Sequence, residues 1–206
     1  MTEGYSERFY CTLVGLARAV IHLVYPPKVA GRENIPESSA FILCANHISL
    51  RDPVLVATIV KQPLHFMAKK ELFETKFKWF TALLKKLGAF PVSRGDGDLT
   101  AIRTSLSILK EGECLGIFGQ GTRRKKGDTE EPPMNTGVAM LAVRSKAPVV
   151  PVYIQSPYKL FRRMCVFIGK PLEFSDIRRA DMATLTNVTE QISNAIFSLN
   201  APTPKQ

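Results

Sequence analysis

No stretch of this 206-residue chain is long and apolar enough to cross a bilayer. A spanning helix needs about 18 or more consecutive apolar residues, and the most apolar stretch, residues 9–25, is interrupted by Arg18 and His22. The same stretch lacks the basic leader and the A-x-A cleavage pattern of a signal peptide before Pro26 and Pro27. We therefore expect neither a spanning helix nor a cleaved leader.

The chain is also poor in the residues that build disulfide frameworks and metal centres. Three histidines and four widely spaced cysteines form no zinc-ligand pattern. Such scattered cysteines are typical of small buried apolar residues in a reducing compartment; they are Cys11, Cys44, Cys114 and Cys165. The sequence predicts no resident metal.

Acidic residues are scarce relative to basic ones, with 18 Asp and Glu against 28 Lys and Arg and a net charge of +10. This surplus indicates an anionic partner, such as nucleic acid, an acidic membrane surface or a phosphorylated substrate. Nucleic acid is disfavoured because aromatic residues do not interleave with the basic runs and no nucleic-acid-binding motif occurs. The absence of G-x-S-x-G disfavours a covalent acyl-serine enzyme, and the sequence contains no P-loop.

Length and patterning predict a single α/β domain. After Gly31, short apolar runs alternate with helical stretches. Asp52 is expected to cap a helix that has Pro53 at its first position, and the prolines of residues 148–152 to confine that strand to an edge or a strand start. Predicted strands span 40–45, 64–68, 89–92, 114–118, 149–154 and 164–168; predicted helices span 53–60, 70–86, 99–110, 136–146 and 182–199.

Residues 9–25 are predicted to form an amphipathic helix, with Arg18 and His22 on its narrower polar face. Two interpretations remain: a helix that covers the domain core, and a helix that lies in a membrane interface with its cations toward headgroups, which we favour. The predicted division is a membrane-association helix at 1–27, a domain at 28–200 and a flexible tail at 201–206. The apolar stripe comprises Phe9, Leu13, Leu16, Val20 and Val24.

The clearest chemical motif is Asn46-His47-Ile48-Ser49-Leu50-Arg51-Asp52, which follows a predicted strand. The carboxylate of Asp52 is close enough in sequence to hold one ring nitrogen of His47. Such a pair is a general base fixed in one tautomer. Without a nucleophile of its own, the pair suits deprotonation of a substrate hydroxyl.

Cations follow several other predicted strands. Phe118-Gly119-Gln120-Gly121-Thr122-Arg123 runs from a strand into glycines and then into basic residues. Glycines let backbone N–H groups approach a phosphate, and arginine grips it with a planar fork. Arg94 and Lys69 also lie just past strands and are further candidate phosphate ligands.

Taken in order, these blocks resemble the 1-acylglycerol-3-phosphate acyltransferase family of the glycerolipid acyltransferase superfamily. The first block, N-H-x-S-x-x-D, is complete at Asn46, His47, Ser49 and Asp52. The resemblance covers roughly residues 30–175. The remaining blocks are met by Gly88, Phe90 and Arg94, by Phe118, Gly121, Thr122 and Arg123, and by residues 148–152.

The resemblance implies one domain with a central mixed sheet flanked by helices, and acyl transfer from a thioester to the hydroxyl of lysophosphatidate. It implies His47 as base, Asp52 as its orienting residue, and no metal or organic cofactor. Arg94, Arg123 and Lys69 are then the expected phosphate ligands. The substrate-positioning or oxyanion residues expected from the motifs are Asn46, Ser49, Gln120, Gly121 and Thr122.

One departure from the family affects the acceptor, because Gln120 stands where the family has glutamate. Glutamine keeps an acceptor oxygen, gains a donor and loses a charge. Glycerol 3-phosphate or a lysophospholipid therefore remains an alternative acceptor, and a catalytically inactive lipid-binding relative is disfavoured by the intact His47 and Asp52. The expected partners are acyl-carrier protein or coenzyme A as donor and an anionic membrane surface, at the cytoplasmic face of the cell membrane. Oligomeric state is left open.

Overall fold

The computed structural model of the chain describes residues 4–37, 39–93, 98–121, 132–155 and 158–200. Helices and strands alternate along most of this length, as the sequence pattern predicts. The strands are β1 (Pro27–Ala30), β2 (Ile42–Ala45), β3 (Leu64–Lys69), β4 (Phe90–Val92), β5 (Cys114–Phe118), β6 (Val149–Ile154) and β7 (Met164–Ile168). The helices are α1 (Glu7–Val24), α2 (Asp52–Ile59), α3 (Lys78–Lys86), α4 (Leu99–Lys110), α5 (Gly137–Ser145) and α6 (Met182–Ser198).

The strands form one seven-stranded mixed sheet in the order β1-β7-β6-β2-β5-β3-β4. All neighbouring pairs are parallel except β6 and β7. The chain builds β3, β4 and β5 on one side of β2 and then crosses to place β6 on the other side. Ligand sites in such sheets lie at the carboxyl ends of the strands, near the strand where the order reverses.

Alternating side chains of β2 show how the sheet separates two cores. Ile42 and Cys44 pack toward α4, α5 and α6, whereas Leu43 and Ala45 pack toward α1 and α2. All four residues of β2 are buried, which is typical of a parallel strand covered on both faces. The central strand is therefore covered on both faces up to its carboxyl end.

Three sequence-based expectations need correction. The helix predicted over 70–86 is divided into a 3₁₀ turn at Lys70–Leu72 and α3, and β1 was not predicted. The strand of residues 149–154 is interior rather than at an edge. Its Pro151 lies between the Val149–Leu172 bridge and the Val152–Ile168 pair, where the missing N–H interrupts no regular pairing with β7.

Helix α1 is docked on the domain rather than separate from it. Tyr10 and Ile21 are buried, and the Tyr10 hydroxyl accepts a hydrogen bond from the Leu64 N–H at 3.0 Å. Arg18 is not directed at headgroups as expected, because its guanidinium donates to the carbonyls of Thr58 and Val60 at the end of α2. The predicted apolar stripe is divided, since Leu16 and Val20 stay exposed.

Candidate active site

His47 and Asp52 meet at the carboxyl end of β2. The ring Nδ1 of His47 lies 2.7 Å from Asp52 Oδ2. The ring is largely covered, stacked on Phe118 with centroids 4.2 Å apart, whereas the Asp52 carboxylate is fully buried. Because Asp52 engages Nδ1, the second ring nitrogen, Nε2, is the one available to a substrate.

The Asp52 carboxylate points back along the chain and does not cap α2. Its Oδ2 accepts hydrogen bonds from the backbone N–H groups of Ile48 and Ser49, each at 2.7 Å. Arg51 stands at the N-cap position and makes no side-chain cap bond. The capping role predicted for Asp52 is therefore wrong, because the turn at residues 47–49 supplies N–H donors to the carboxylate before the helix begins.

Tyr158 is the site residue that sequence reasoning missed. Its hydroxyl donates to Asp52 Oδ1 at 2.7 Å from a position 106 residues further along the chain. Burial, followed by the neighbouring Asp52 charge, raises the pKa of Tyr158 well above its ordinary value, so the hydroxyl stays protonated. No local motif marks this residue, because only the pairing of β6 and β7 brings its segment to the dyad.

Gln120 is buried behind His47 and uses both ends of its amide. Its Oε1 accepts from the His47 backbone N–H at 3.1 Å, and its Nε2 donates to the Pro132 carbonyl at 3.3 Å. A glutamate here would present an oxygen to that carbonyl, where neither atom has a proton to share. The glutamine therefore links the turn after β5 to Pro132 and to the backbone of His47.

Asn46 and Ser49 are used by the backbone around the dyad. The Asn46 amide donates to the Ile154 carbonyl at 3.0 Å and accepts from the Ile154 N–H at 2.7 Å, which ties β2 to β6. Ser49 Oγ accepts from the Arg51 N–H at 3.2 Å. Both side chains thus hold the loop that carries His47.

The glycine turn after β5 also uses its own backbone donors. The Gly119 N–H donates to the Ala45 carbonyl at 3.3 Å, and the Gly121 N–H donates to the Phe118 carbonyl at 2.9 Å. Gly121 has a φ of +65°, a conformation that glycine adopts without strain. Cys44 lies beside this turn, and burial raises the pKa of its thiol to about 12, which makes it a poor nucleophile.

A cavity of about 690 Å³ opens beside His47 and the glycine turn. Its polar part includes Lys69, Ser93 and Asp98, which come from the ends of β3 and β4 and the start of α4. Its apolar part comes mainly from the sheet, α4 and α5: Met67, Val92, Ala101, Ile102, Ile117, Val138, Met140 and Leu141. His47 thus lines a cavity that has a polar region and an apolar region.

Of the three predicted phosphate ligands, the structure describes Lys69. Its half-exposed side chain lines the cavity, and its Nζ lies 2.8 Å from Glu71 Oε1. Arg94, Arg123 and the predicted positioning residue Thr122 lie outside the described residues. The His47–Asp52 pair, Gln120, Gly121 and Lys69 thus lie at the carboxyl ends of β2, β5 and β3.

Comparison with known proteins places this chain among acyltransferases. A family model described as Acyltransferase matches residues 26–155. The chain is 36% identical over 179 residues to the 1-acyl-sn-glycerol-3-phosphate acyltransferase of Bacillus subtilis, covering 84% of this chain and 87% of the relative. It is 29% identical over 180 residues to the protein of the same description from Streptococcus pneumoniae, covering 83% of this chain and 65% of the relative.

A solved structure shares the fold. The crystal structure of the 1-acyl-sn-glycerophosphate acyltransferase PlsC from Thermotoga maritima superposes with a TM-score of 0.71 at 25% identity. The match covers 97% of this chain and 84% of the other. The mixed sheet, its helices and the N-terminal helix are thus an arrangement that this chain shares with PlsC.

Proposed function

The chain belongs to the Acyltransferase family, and on that premise we propose that it moves a fatty acyl chain from a thioester to the free hydroxyl of lysophosphatidate, giving phosphatidate. The observation that carries this function is the His47–Asp52 pair, 2.7 Å apart, beside a partly apolar cavity. The relatives named for the same reaction support the acceptor.

The mechanism follows from which atoms are already engaged. The Nδ1–H group of His47 is hydrogen-bonded to Asp52 and keeps its proton. Nε2 accepts the proton of the lysophosphatidate hydroxyl. The hydroxyl oxygen forms a bond to the thioester carbonyl carbon, and the carbon–sulfur bond then breaks. The imidazolium returns its proton to the departing thiolate. The buried Asp52 carboxylate stabilises the imidazolium while it exists.

The cavity gives the substrates a polar and an apolar environment. Hydrocarbon from the sheet, α4 and α5 suits a fatty chain, whose burial contributes about 0.8 kcal/mol per CH₂. The phosphate needs several cations, of which Lys69 lines the cavity; Arg94 and Arg123, which follow β4 and β5 in the sequence, are proposed as the others. With the fatty chain in the apolar part of the cavity and the phosphate beside the cations, the acceptor hydroxyl is directed toward His47.

The thioester donor carries either acyl-carrier protein or coenzyme A. Both are anionic, and a chain with net charge +10 attracts either. Neither is favoured by the described site.

We further propose that the enzyme works as a peripheral protein on an anionic bilayer, where its acceptor lies. No helix among the described residues is long and apolar enough to span a membrane. Leu16, Val20 and Leu23 of α1 are 63%, 59% and 72% exposed, and Phe161, whose N–H donates to the Val24 carbonyl, is 74% exposed. This α1 patch, made of Leu16, Val20, Leu23 and Phe161, suits insertion between lipid headgroups.

A matrix of defined donors and acceptors tests the function. Purified protein is incubated with labelled acyl-carrier-protein or coenzyme A thioesters and with lysophosphatidate, glycerol 3-phosphate, a lysophospholipid or monoacylglycerol. We expect label in phosphatidate, and preferential transfer to another acceptor would overturn the assignment.

The phosphate role of the two arginines is tested by Arg94→Ala and Arg123→Ala. Each substitution should lower kcat/KM for lysophosphatidate by an amount equivalent to about 1.5–3 kcal/mol and leave kcat/KM for monoacylglycerol unchanged. An equal loss on both acceptors contradicts the phosphate role.

A further inference from the structure

Tyr158 completes the set of donors around a carboxylate that the mechanism needs. Oδ2 of Asp52 accepts from His47 Nδ1 and from two backbone N–H groups, each at 2.7 Å. Oδ1 accepts from the Tyr158 hydroxyl, also at 2.7 Å. The carboxylate is fully buried, so these donors replace the water that would otherwise surround its charge. Among them, the tyrosine hydroxyl is a side-chain donor that mutation removes without altering the loop backbone.

We propose that Tyr158 is a positioning residue of the His47–Asp52 pair, whose hydroxyl limits the basicity of the Asp52 carboxylate and so keeps His47 unprotonated over a wider pH range. This inference rests on the acyl-transfer function proposed above. It concerns a residue that touches Asp52 and acts on the reaction through it.

The fold holds the Tyr158 hydroxyl in place through the end of α1. The ring of Tyr158 packs edge-on against Tyr25, with centroids 5.4 Å apart. Two backbone hydrogen bonds fasten the following segment to the same end of α1: Phe161 N–H to the Val24 carbonyl at 2.8 Å and Met164 N–H to the Pro26 carbonyl at 3.0 Å. The hydroxyl is therefore positioned by the packing of α1 as well as by its own segment.

Other charged and titratable groups around the pair come from several elements. The Arg51 guanidinium, at the start of α2, lies 5.6 Å from the centre of the Tyr25 ring. Lys69 at the end of β3 and Asp98 before α4 line the same cavity as His47. Tyr158→Phe changes none of these groups, so a change in pH dependence reports on the lost hydroxyl.

The Tyr158 hydroxyl donates its hydrogen bond to Asp52, and this determines the direction in which the pH–rate profile moves when the hydroxyl is removed. A donor to a carboxylate stabilises its charged form and makes it less basic. Removing the Tyr158 hydroxyl makes Asp52 a stronger partner for the imidazolium of His47. Protonation of the base then persists to higher pH, and the acidic limb of the rate profile moves upward.

The test measures kcat/KM from about pH 5.5 to pH 9 for the wild type and for Tyr158→Phe. We expect the variant to fall about threefold further below the wild type at the acidic end than at the alkaline end, a shift of about 0.5 pH unit. A constant ratio across the range would overturn the proposal. Tyr10→Phe is the matched control, because it also removes a buried, hydrogen-bonded tyrosine hydroxyl, and it should leave the shape of the profile unchanged.

Two further measurements separate the possible failures. The ring signals of the three histidines are followed by NMR over the same pH range, which needs no turnover. If the wild type acylates no lysophosphatidate, the proposed function fails, and an upward move of the His47 titration in Tyr158→Phe still supports the role of Tyr158; an unmoved titration overturns it. If Tyr158→Phe does not fold, Tyr25→Leu should give the same change to a smaller degree, and an unchanged titration there also contradicts the proposal.

Discussion

At the residue scale, the site depends on how many hydrogen-bonding groups are already committed before a substrate arrives. The Asp52 carboxylate has donors on both oxygens, and the Gln120 amide bonds at both of its ends. His47 lines the cavity, and because its Nδ1 is engaged by Asp52, Nε2 is the proposed proton acceptor. Substitutions at these positions should therefore affect acyl transfer and stability to different degrees.

Replacing His47 by alanine should lower kcat at least about 10²-fold, because the proton acceptor is lost. The melting temperature should change little, since the ring is not part of either buried core. Steady-state acyl transfer and a thermal melt measure the two effects. His22→Ala, at an exposed position on α1, is the control, and near-normal turnover in His47→Ala would contradict the mechanism.

Asp52→Asn is the informative comparison, and it should retain more activity than His47→Ala. The asparagine oxygen still accepts from the turn, but the charge that stabilises the imidazolium is gone. Some loss of stability, about 1–3 kcal/mol, is expected from the weakened bonds to Ile48 and Ser49 rather than from a lost helix cap.

Gln120→Glu, which restores the residue of the family motif, should destabilise this chain by about 1 kcal/mol. The new carboxylate loses the donor to the Pro132 carbonyl while it keeps the acceptor for the His47 N–H. Denaturant unfolding measures the effect. Gln155→Glu changes the net charge equally at an exposed position, and equal stability of the two variants would contradict the role given to the Gln120 amide.

At the scale of the elements, helix ends and helix faces determine the surroundings of the site. The start of α4 supplies Asp98 to the cavity, and the end of α2 is bound by Arg18 of α1. The outward face of α1 keeps its apolar residues exposed. Each feature follows from contacts between elements that are distant in sequence.

Asp98 should stabilise α4 in a pH-dependent way. Hydrogen bonds from the backbone N–H groups of Ser93 and Ala101 lower the pKa of its carboxyl below the ordinary value. Because the folded-state pKa is the lower one, this stabilisation is complete above the unfolded-state pKa of about 4, and it is lost as the pH falls below that value and through the folded-state pKa. Asp98→Ala should cost about 1 kcal/mol at neutral pH and less in acid.

Chemical unfolding at pH 7 and at about pH 3 measures the difference. Asp98→Asn is the control, since asparagine caps a helix without a titrating charge. A cost for Asp98→Ala that is the same at both pH values would contradict the capping role of the charged form.

Replacing Leu16, Val20 and Leu23 by aspartate should release the enzyme from anionic vesicles without unfolding it. These side chains are exposed and belong to the α1 patch, and each apolar side chain that is buried in lipid contributes about 1.5–3 kcal/mol. Vesicle pelleting and a thermal melt, run together, measure binding and folding. Activity on membrane-held acceptor should fall while activity on a short-chain soluble acceptor survives.

Ile21→Asp is the matched substitution on the buried side of the same helix, and it should unfold the protein instead. If the exposed triple variant also unfolds, α1 serves to cover the core. If it stays folded and still pellets with vesicles, the α1 patch is not the membrane contact.

At the scale of the whole molecule, the proposed membrane contact combines a net charge of +10 with the apolar α1 patch. Raising the salt concentration from about 0.1 M to 1 M shortens the screening length from about 10 Å to 3 Å. Pelleting with anionic vesicles should therefore weaken strongly with salt, and pelleting with neutral vesicles should weaken little. Equal salt dependence for both vesicle types would show that charge is not part of the attraction.

The sequence by itself determined most of the elements and the pairing of His47 with Asp52. N-H-x-S-x-x-D contains the proposed base and its partner within seven residues, and strands such as β5 and β6 start and end where the apolar runs do. Such local signals suffice because a turn of a few residues is short enough to bring His47 and Asp52 together. The extended stretch at β1 was missed because its four residues, Pro-Lys-Val-Ala, are at most half-buried and form no apolar run.

Only the tertiary structure decided what surrounds that local chemistry. Tyr158 reaches Asp52 because the pairing of β6 with β7 and the end of α1 hold its segment in place. Arg18 looked like a headgroup ligand, yet the crossing of α1 over α2 places it against two carbonyls. The Asp52 carboxylate accepts from the N–H groups of the preceding turn and does not cap α2. Only the three-dimensional structure shows which of these competing donors it binds. Side-chain partners that are distant in sequence leave no periodic or spacing signal, since each is selected by packing.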